Sequence, residues 1–139
     1  MGEPAVPSVV LIDTSAWLWH FRHHDPFVER LLARAMAVGH LDIAGELAMG
    51  HAPRSTRFRD RVLSLPQLSE VGSEKLLSIV ESWGITGQGV GWVDAGLLAA
   101  CRFHHEPIAI YSRDRRRSVV VRNLGIRVLA PPPERSGEN

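Results

Sequence analysis

The stretch Ser8-Val9-Val10-Leu11-Ile12-Asp13 decides how this chain is read. Four apolar residues run without alternation, three of them β-branched, and then stop at an acid. An unbroken apolar run of this length predicts a strand buried on both faces, as in a parallel sheet. Thr14 or Ser15 is placed to cap a following helix through Trp17 and Leu18. Beyond Pro26, Val28, Leu31, Leu32, Ala35 and Met36 recur at helical spacing until Gly39. Leu41 to Ala44 is read as a second strand, leading into a helix with Glu46, Leu47 and Met49 that Pro53 closes. Thr56 to Leu65 is read as a helix stopped by Pro66, and Leu68 to Val71 as a weak strand. Ser73 caps a helix whose apolar face is Leu76, Leu77, Ile79, Val80 and Trp83, with Gly84 at its end. After the loop Gly84 to Gly91, an apolar helix runs from Trp92 to His105. Ile108 to Tyr111 is a strand, Arg115 to Leu124 a helix and Ile126 to Leu129 a last strand.

Strands alternating with helices predict an α/β fold, with helices on both faces of a parallel sheet of about five strands, a three-layer α/β/α sandwich. The 139 residues fit one domain, with a core over positions 9–129 and a Pro-rich polar tail over 130–139. With 45% hydrophobic and 22% charged residues, the composition excludes a disordered chain. The longest apolar runs fall well short of the roughly 18 residues that a membrane span needs. No basic residue precedes Arg22, so no targeting segment is expected, and a cytoplasmic protein is. Cys101 is the single cysteine, which excludes an internal disulfide and a multi-cysteine zinc site.

In doubly wound sheets, function gathers at the carboxyl ends of the strands. Asp13 follows the first strand directly, and Glu46 comes two residues after the predicted second one. Asp114 follows the strand ending at Tyr111, and Asp94 lies in the first turn of the helix after the glycine loop. Each acid alone could be a helix cap or first-turn acid. Together they place four carboxylates from four segments at one sheet edge. Such carboxylates repel and raise one another's pKa unless a hard divalent cation neutralises them, and oxygen ligands select Mg²⁺ or Mn²⁺. That chemistry suits metal-assisted phosphodiester hydrolysis.

The net charge is only +1, but six arginines and one acid lie between Tyr111 and Arg127. Arg113, Arg115, Arg116 and Arg117, with those from Arg54 to Arg61, are placed to steer a phosphate-bearing partner, since guanidinium suits phosphate.

Val-Leu-Ile-Asp13-Thr-Ser, Gly-Glu46-Leu, Gly-Trp-Val-Asp94-Ala-Gly-Leu-Leu-Ala-Ala and Tyr-Ser-Arg-Asp114-Arg-Arg resemble, in order and spacing, the motifs of PIN-domain ribonucleases, most nearly the VapC toxins of toxin–antitoxin pairs. The resemblance spans roughly Val9 to Leu129. It implies a PIN-like fold and a Mg²⁺- or Mn²⁺-dependent endoribonuclease, forming a homodimer and inhibited by a cognate VapB-type antitoxin. It makes Asp13 and Asp94 the principal metal ligands, with Glu46 and Asp114 completing the catalytic set. Thr14, Ser15 and Ser112 support them, Ser112 in the small-hydroxyl position two before the last acid. The chain departs from the motif in lacking Thr or Ser before Glu46, and in its Trp17-Leu-Trp19-His20.

Two rival classes stay open at this point. A phosphoryl-transfer domain on a similar sheet is one: a dehalogenase-like enzyme wants an acid where Ser15 stands, and a receiver domain wants a late lysine, whereas Lys75 is the only lysine. An inactive PIN-like module that only binds a partner is the other.

Overall fold

The computed structural model describes residues 7–50 and 55–131. Pro53, Arg54 and the tail from position 132 lie outside the described residues. The elements run β1 (Val9–Ile12), α1 (Thr14–His23), α2 (Pro26–Ala33), β2 (Ala37–Val38), α3 (Leu41–Ala48), α4 (Ser55–Ser64), α5 (Ser73–Trp83), α6 (Trp92–Arg102), β3 (Ile108–Tyr111), α7 (Arg115–Asn123) and β4 (Arg127–Leu129). The sheet has four parallel strands in the order β2-β1-β3-β4. The expected α/β architecture with a parallel sheet is present, PIN-like in its layers.

β1 forms where the apolar run predicted it, and Val10, Leu11 and Ile12 are all but fully buried. It pairs with β2 on one side and β3 on the other, Ile12 opposite Tyr111. The chain therefore leaves β1 in one direction to make β2 and later returns to make β3 on the opposite side. That reversal is the topological switch point, and the crevice beyond the carboxyl ends of β1 and β3 is where such sheets bind ligands.

α6 is the central helix. Ala95 through Cys101 are all buried. Ala95 and Ala99, one turn apart, meet Leu76 with Ile79, Val80 and Trp83 of α5 packed around them. Leu97, Leu98 and Cys101 join the main core with β1, β3 and Trp17. Small residues on one side let the helix be covered on both, and truncating Leu98 to Ala would cost about 2–5 kcal/mol.

The second strand is not Leu41–Ala44. Those residues open α3, and the strand is Ala37–Val38. α2 stops early because Ala35 takes a positive φ of 54°, turning the chain so that Met36 leads into the sheet. The buried His40 then caps α3, its Nδ1 accepting from Asp42 N at 3.0 Å. Apolar content was legible at Leu41–Ala44, but this side-chain cap was not. Leu68–Val71 forms no strand; only Gln67 bridges to Gly39. Hence the sheet has four strands rather than five. The close approach needs glycine: a Cβ on Gly39 would lie 2.6 Å from Val62 O. Asp13 itself, not Thr14 or Ser15, caps α1, and Gly72, not Ser73, precedes α5 as its cap. α6 ends at Arg102 rather than His105.

Candidate active site

Asp13 ends β1 and begins α1, so one side chain serves two elements. It is 3% exposed. Its Oδ1 accepts from Ser15 Oγ at 2.6 Å and Ala16 N at 3.0 Å. Ser15 Oγ in turn accepts from Arg113 N at 3.1 Å, stitching the start of α1 to the loop after β3. In that loop Ser112, also buried, accepts from Asp114 N at 3.1 Å. Asp114 caps α7, its Oδ1 accepting from Arg116 N at 3.1 Å and Arg117 N at 3.2 Å. Asp94 lies in the first turn of α6, half-buried. Glu46 lies on α3, more open to solvent.

Two of these acids, Asp13 and Asp94, meet at one cation, and Glu46 and Asp114 lie within its electrostatic reach. Arg117 donates from Nη2 to Asp13 Oδ2 at 2.5 Å and from Nη1 to Asp94 Oδ1. Burial opposes the charge of this guanidinium, but the charges of Asp13, Asp94 and Asp114 outweigh it and raise its pKa. Glu46 responds in the opposite sense. Crowding of its carboxyl by neighbouring atoms and the charge of Asp94 raise its pKa, and Arg117 only partly offsets them. The carboxylate repulsion expected from the sequence thus survives at Glu46. Thr14 Oγ1 is buried without a hydrogen-bond partner in good geometry, although it lies near enough to Glu46 to favour the charged form. A small, mostly apolar cavity walled by Leu11, Leu97, Ile110 and Val121 lies beside this cluster and is bordered by Asp13, Asp94, Ser112 and Arg117.

Of the arginines expected to meet RNA, Arg115 and Arg116 are exposed, and their guanidiniums make no ion pair with the described residues. Arg117 and Arg113 turn inward. Arg113 stacks 3.9 Å above the Trp19 ring and reaches Asp25 Oδ2 at 3.4 Å. Asp25 also accepts from Tyr111 Oη at 2.5 Å and caps α2 through Phe27 N at 3.0 Å. Sequence reasoning missed this Trp19–Asp25–Tyr111–Arg113 group. The Asp25-Pro26 pair was a readable cap signal, but its long-range partners were not.

Among the described residues, two groups with imidazoles bring possible ligand atoms close together, His20 with His24 and Glu29, and His104 with His105 and Glu106. His20 Nδ1, however, accepts from Asp25 N at 2.9 Å, which leaves its proton on Nε2, the nitrogen facing Glu29. Cys101 is buried, its thiol pushed up to about 12 by that burial, and is not grouped with His104 and His105.

No family model matches the chain. Among curated proteins, it is 29% identical over 118 residues to Ribonuclease VapC32 of two Mycobacterium tuberculosis strains, CDC 1551 / Oshkosh and ATCC 25618 / H37Rv. That stretch covers 85% of this chain and 94% of the relative. The chain is thus similar, over most of its length, to a VapC-type ribonuclease. No helix among the described residues is long and apolar enough to cross a membrane.

Proposed function

We propose that the chain is the toxin of a type II toxin–antitoxin pair, an endoribonuclease that hydrolyses RNA phosphodiester bonds with Mg²⁺ or Mn²⁺ and works in the cytoplasm. The observation that carries this reading is the convergence of Asp13 and Asp94 on one cationic centre, with Glu46 and Asp114 in electrostatic reach. An all-oxygen donor set already organised around a positive charge fits a hard divalent cation. Asp13 and Asp94 would hold it, and Glu46 and Asp114 would complete the site. When bound, it supplies an activated water and charge stabilisation for the leaving oxygen.

The chain's own residues do the rest. Ser15 and Ala16 N fix the rotamer of Asp13, so that Oδ2 faces the crevice. Ser112 and Asp114 set the start of α7. The raised pKa of Glu46 suits it to exchange a proton near the reacting phosphate. Arg115 and Arg116 present positive charge at the rim for the RNA backbone. A VapB-type antitoxin and a second copy are the expected protein partners, and Trp92 and Val93, both exposed at the start of α6, support such a contact.

The test is cleavage of a structured RNA by purified protein. Excess chelator should abolish it, Mg²⁺ or Mn²⁺ should restore it, and Asp13→Asn or Asp94→Asn should remove it in protein that circular dichroism shows to be folded. Cleavage that persists in chelator, or in either folded variant, rules the reading out.

A further inference from the structure

Arg117 is the third residue of α7, and its guanidinium reaches back over the strand ends rather than out to solvent. Its two terminal nitrogens are divided between Asp13 and Asp94, acids that lie 104 and 23 residues away in the chain. Its side chain is 21% exposed, and those of Asp13 and Asp94 are 4% and 26% exposed. On Asp13, Oδ1 already accepts from Ser15 Oγ and Ala16 N, so Oδ2 is the oxygen left to face the crevice. Arg117 holds that oxygen.

A divalent cation held by Asp13 would need Oδ2, the oxygen that Arg117 holds, at about 2.0–2.1 Å for Mg²⁺, while on Asp94 the guanidinium occupies Oδ1. A guanidinium nitrogen 2.5 Å from Asp13 Oδ2 stands where such an ion and its waters would fit. Steric overlap and like charge at this separation exclude joint occupancy in the observed geometry.

We propose that Arg117 is an internal counter-ion that competes with the divalent cation for Asp13 and Asp94, and so sets the metal affinity of the site. The proposal rests on the metal-dependent reading above. Arg117 neutralises the two most buried acids of the cluster. Metal entry displaces the guanidinium, so the measured affinity is the intrinsic affinity of the carboxylates reduced by the free energy of the two ion pairs. Arg117 is therefore a positioning residue for the acids, distinct from Arg115 and Arg116, which meet solvent.

The test is Mn²⁺ binding by calorimetry on the full chain, comparing wild type, Arg117→Gln and Arg116→Gln. Both substitutions remove one positive charge from α7, but only the first vacates the carboxylates. Arg117→Gln should bind Mn²⁺ at least about tenfold more tightly, a difference of about 1.4 kcal/mol. Arg116→Gln should gain less than about threefold, the through-space effect of one exposed charge. An unchanged or weaker affinity in Arg117→Gln, or an equal gain in both variants, overturns the competition while leaving the metal site standing. No Mn²⁺ binding by any of the three overturns the metal reading and this proposal with it.

Wild-type protein gives a second measurement that does not depend on a variant folding. The guanidinium nitrogen resonances of Arg117 should be those of a restrained group without metal, and should shift and average as Mg²⁺ saturates the protein. Those of Arg113, held by Asp25 and Trp19, should stay in place. Arg117 signals that do not move at saturating Mg²⁺ refute the displacement.

Discussion

The hydroxyl of Tyr111, the last residue of β3, donates to Asp25 Oδ2 at 2.5 Å and so ties the sheet to the cap of α2, 86 residues away in the chain. Asp25 is 6% exposed. Burial alone would raise its pKa, but the Tyr111 hydroxyl, Phe27 N and Arg113 outweigh it, and the carboxyl stays below its ordinary value of 3.8.

Asp25 lies outside the acid cluster, yet it is not a silent position. Asp25→Asn should lower stability by about 1–3 kcal/mol, since hydrogen bonds to a charged acceptor are removed. The stabilisation by Asp25 is fully present above the ordinary value and is lost as pH falls through the depressed folded value. The gap between wild type and Asp25→Asn should therefore narrow in strongly acidic buffer. Urea melts at neutral pH and near pH 2 test this, and a gap of constant size contradicts it.

Asp94→Asn follows a different logic. Repulsion among four acids would make this variant melt higher without metal. The structure reverses that expectation, because Asp94 is paired with Arg117. In chelator, Asp94→Asn should be less stable than wild type by about 1–3 kcal/mol, as a partly buried charge pair is broken. It should also lose most of the Mg²⁺-induced rise in Tm that wild type shows. A melting scan of both proteins with and without Mg²⁺ decides between the two. A higher Tm for the variant in chelator restores the repulsion account.

RNA affinity should depend on the exposed arginines of α7. Removing Arg115 and Arg116 together should weaken binding of a catalytically inert complex. Its salt slope should fall by up to about 1 unit for each phosphate that is no longer neutralised. Fluorescence anisotropy across a salt series measures it. An unaltered slope would assign these side chains to solvent or to a protein partner.

Gly39→Ala probes the edge of the sheet beyond β2. A Cβ there would lie 2.6 Å from Val62 O and 2.7 Å from Gln67 Nε2. The backbone at Val62 cannot yield as a flexible side chain would, so a loss of about 1–3 kcal/mol is expected from overpacking. A variant as stable as wild type in urea would show that α4 can withdraw freely.

Much of this protein was readable from local pattern alone. The unbroken apolar runs at Val9–Ile12 and Ile108–Tyr111 report burial on two faces, and both are strands of the sheet's centre. Helical spacing marked α5, α6 and α7, and Gly84 ends α5 in the left-handed conformation as its position suggested. Asp13, Asp94 and Asp114 could be picked out as candidates because each stands at a strand end or a helix start, whereas Glu46 was read against a strand at Leu41–Ala44 that is absent and lies instead in the second half of α3. β2 was not legible, because two residues carry too little period to outweigh the apolar Leu41–Ala44, and a buried histidine cap decided which segment became helix. Nor could any local window show that Arg117 faces Asp13 rather than RNA, or that Tyr111 meets Asp25. Those pairs are separated by 104 and 86 residues and exist only once the parallel sheet sets β1 and β3 side by side. Sequence determined which groups could carry charge at the edge of the sheet. Tertiary structure decided which charges neutralise one another, because electrostatic pairing depends on distance in space and desolvation, neither of which is a property of the chain's order.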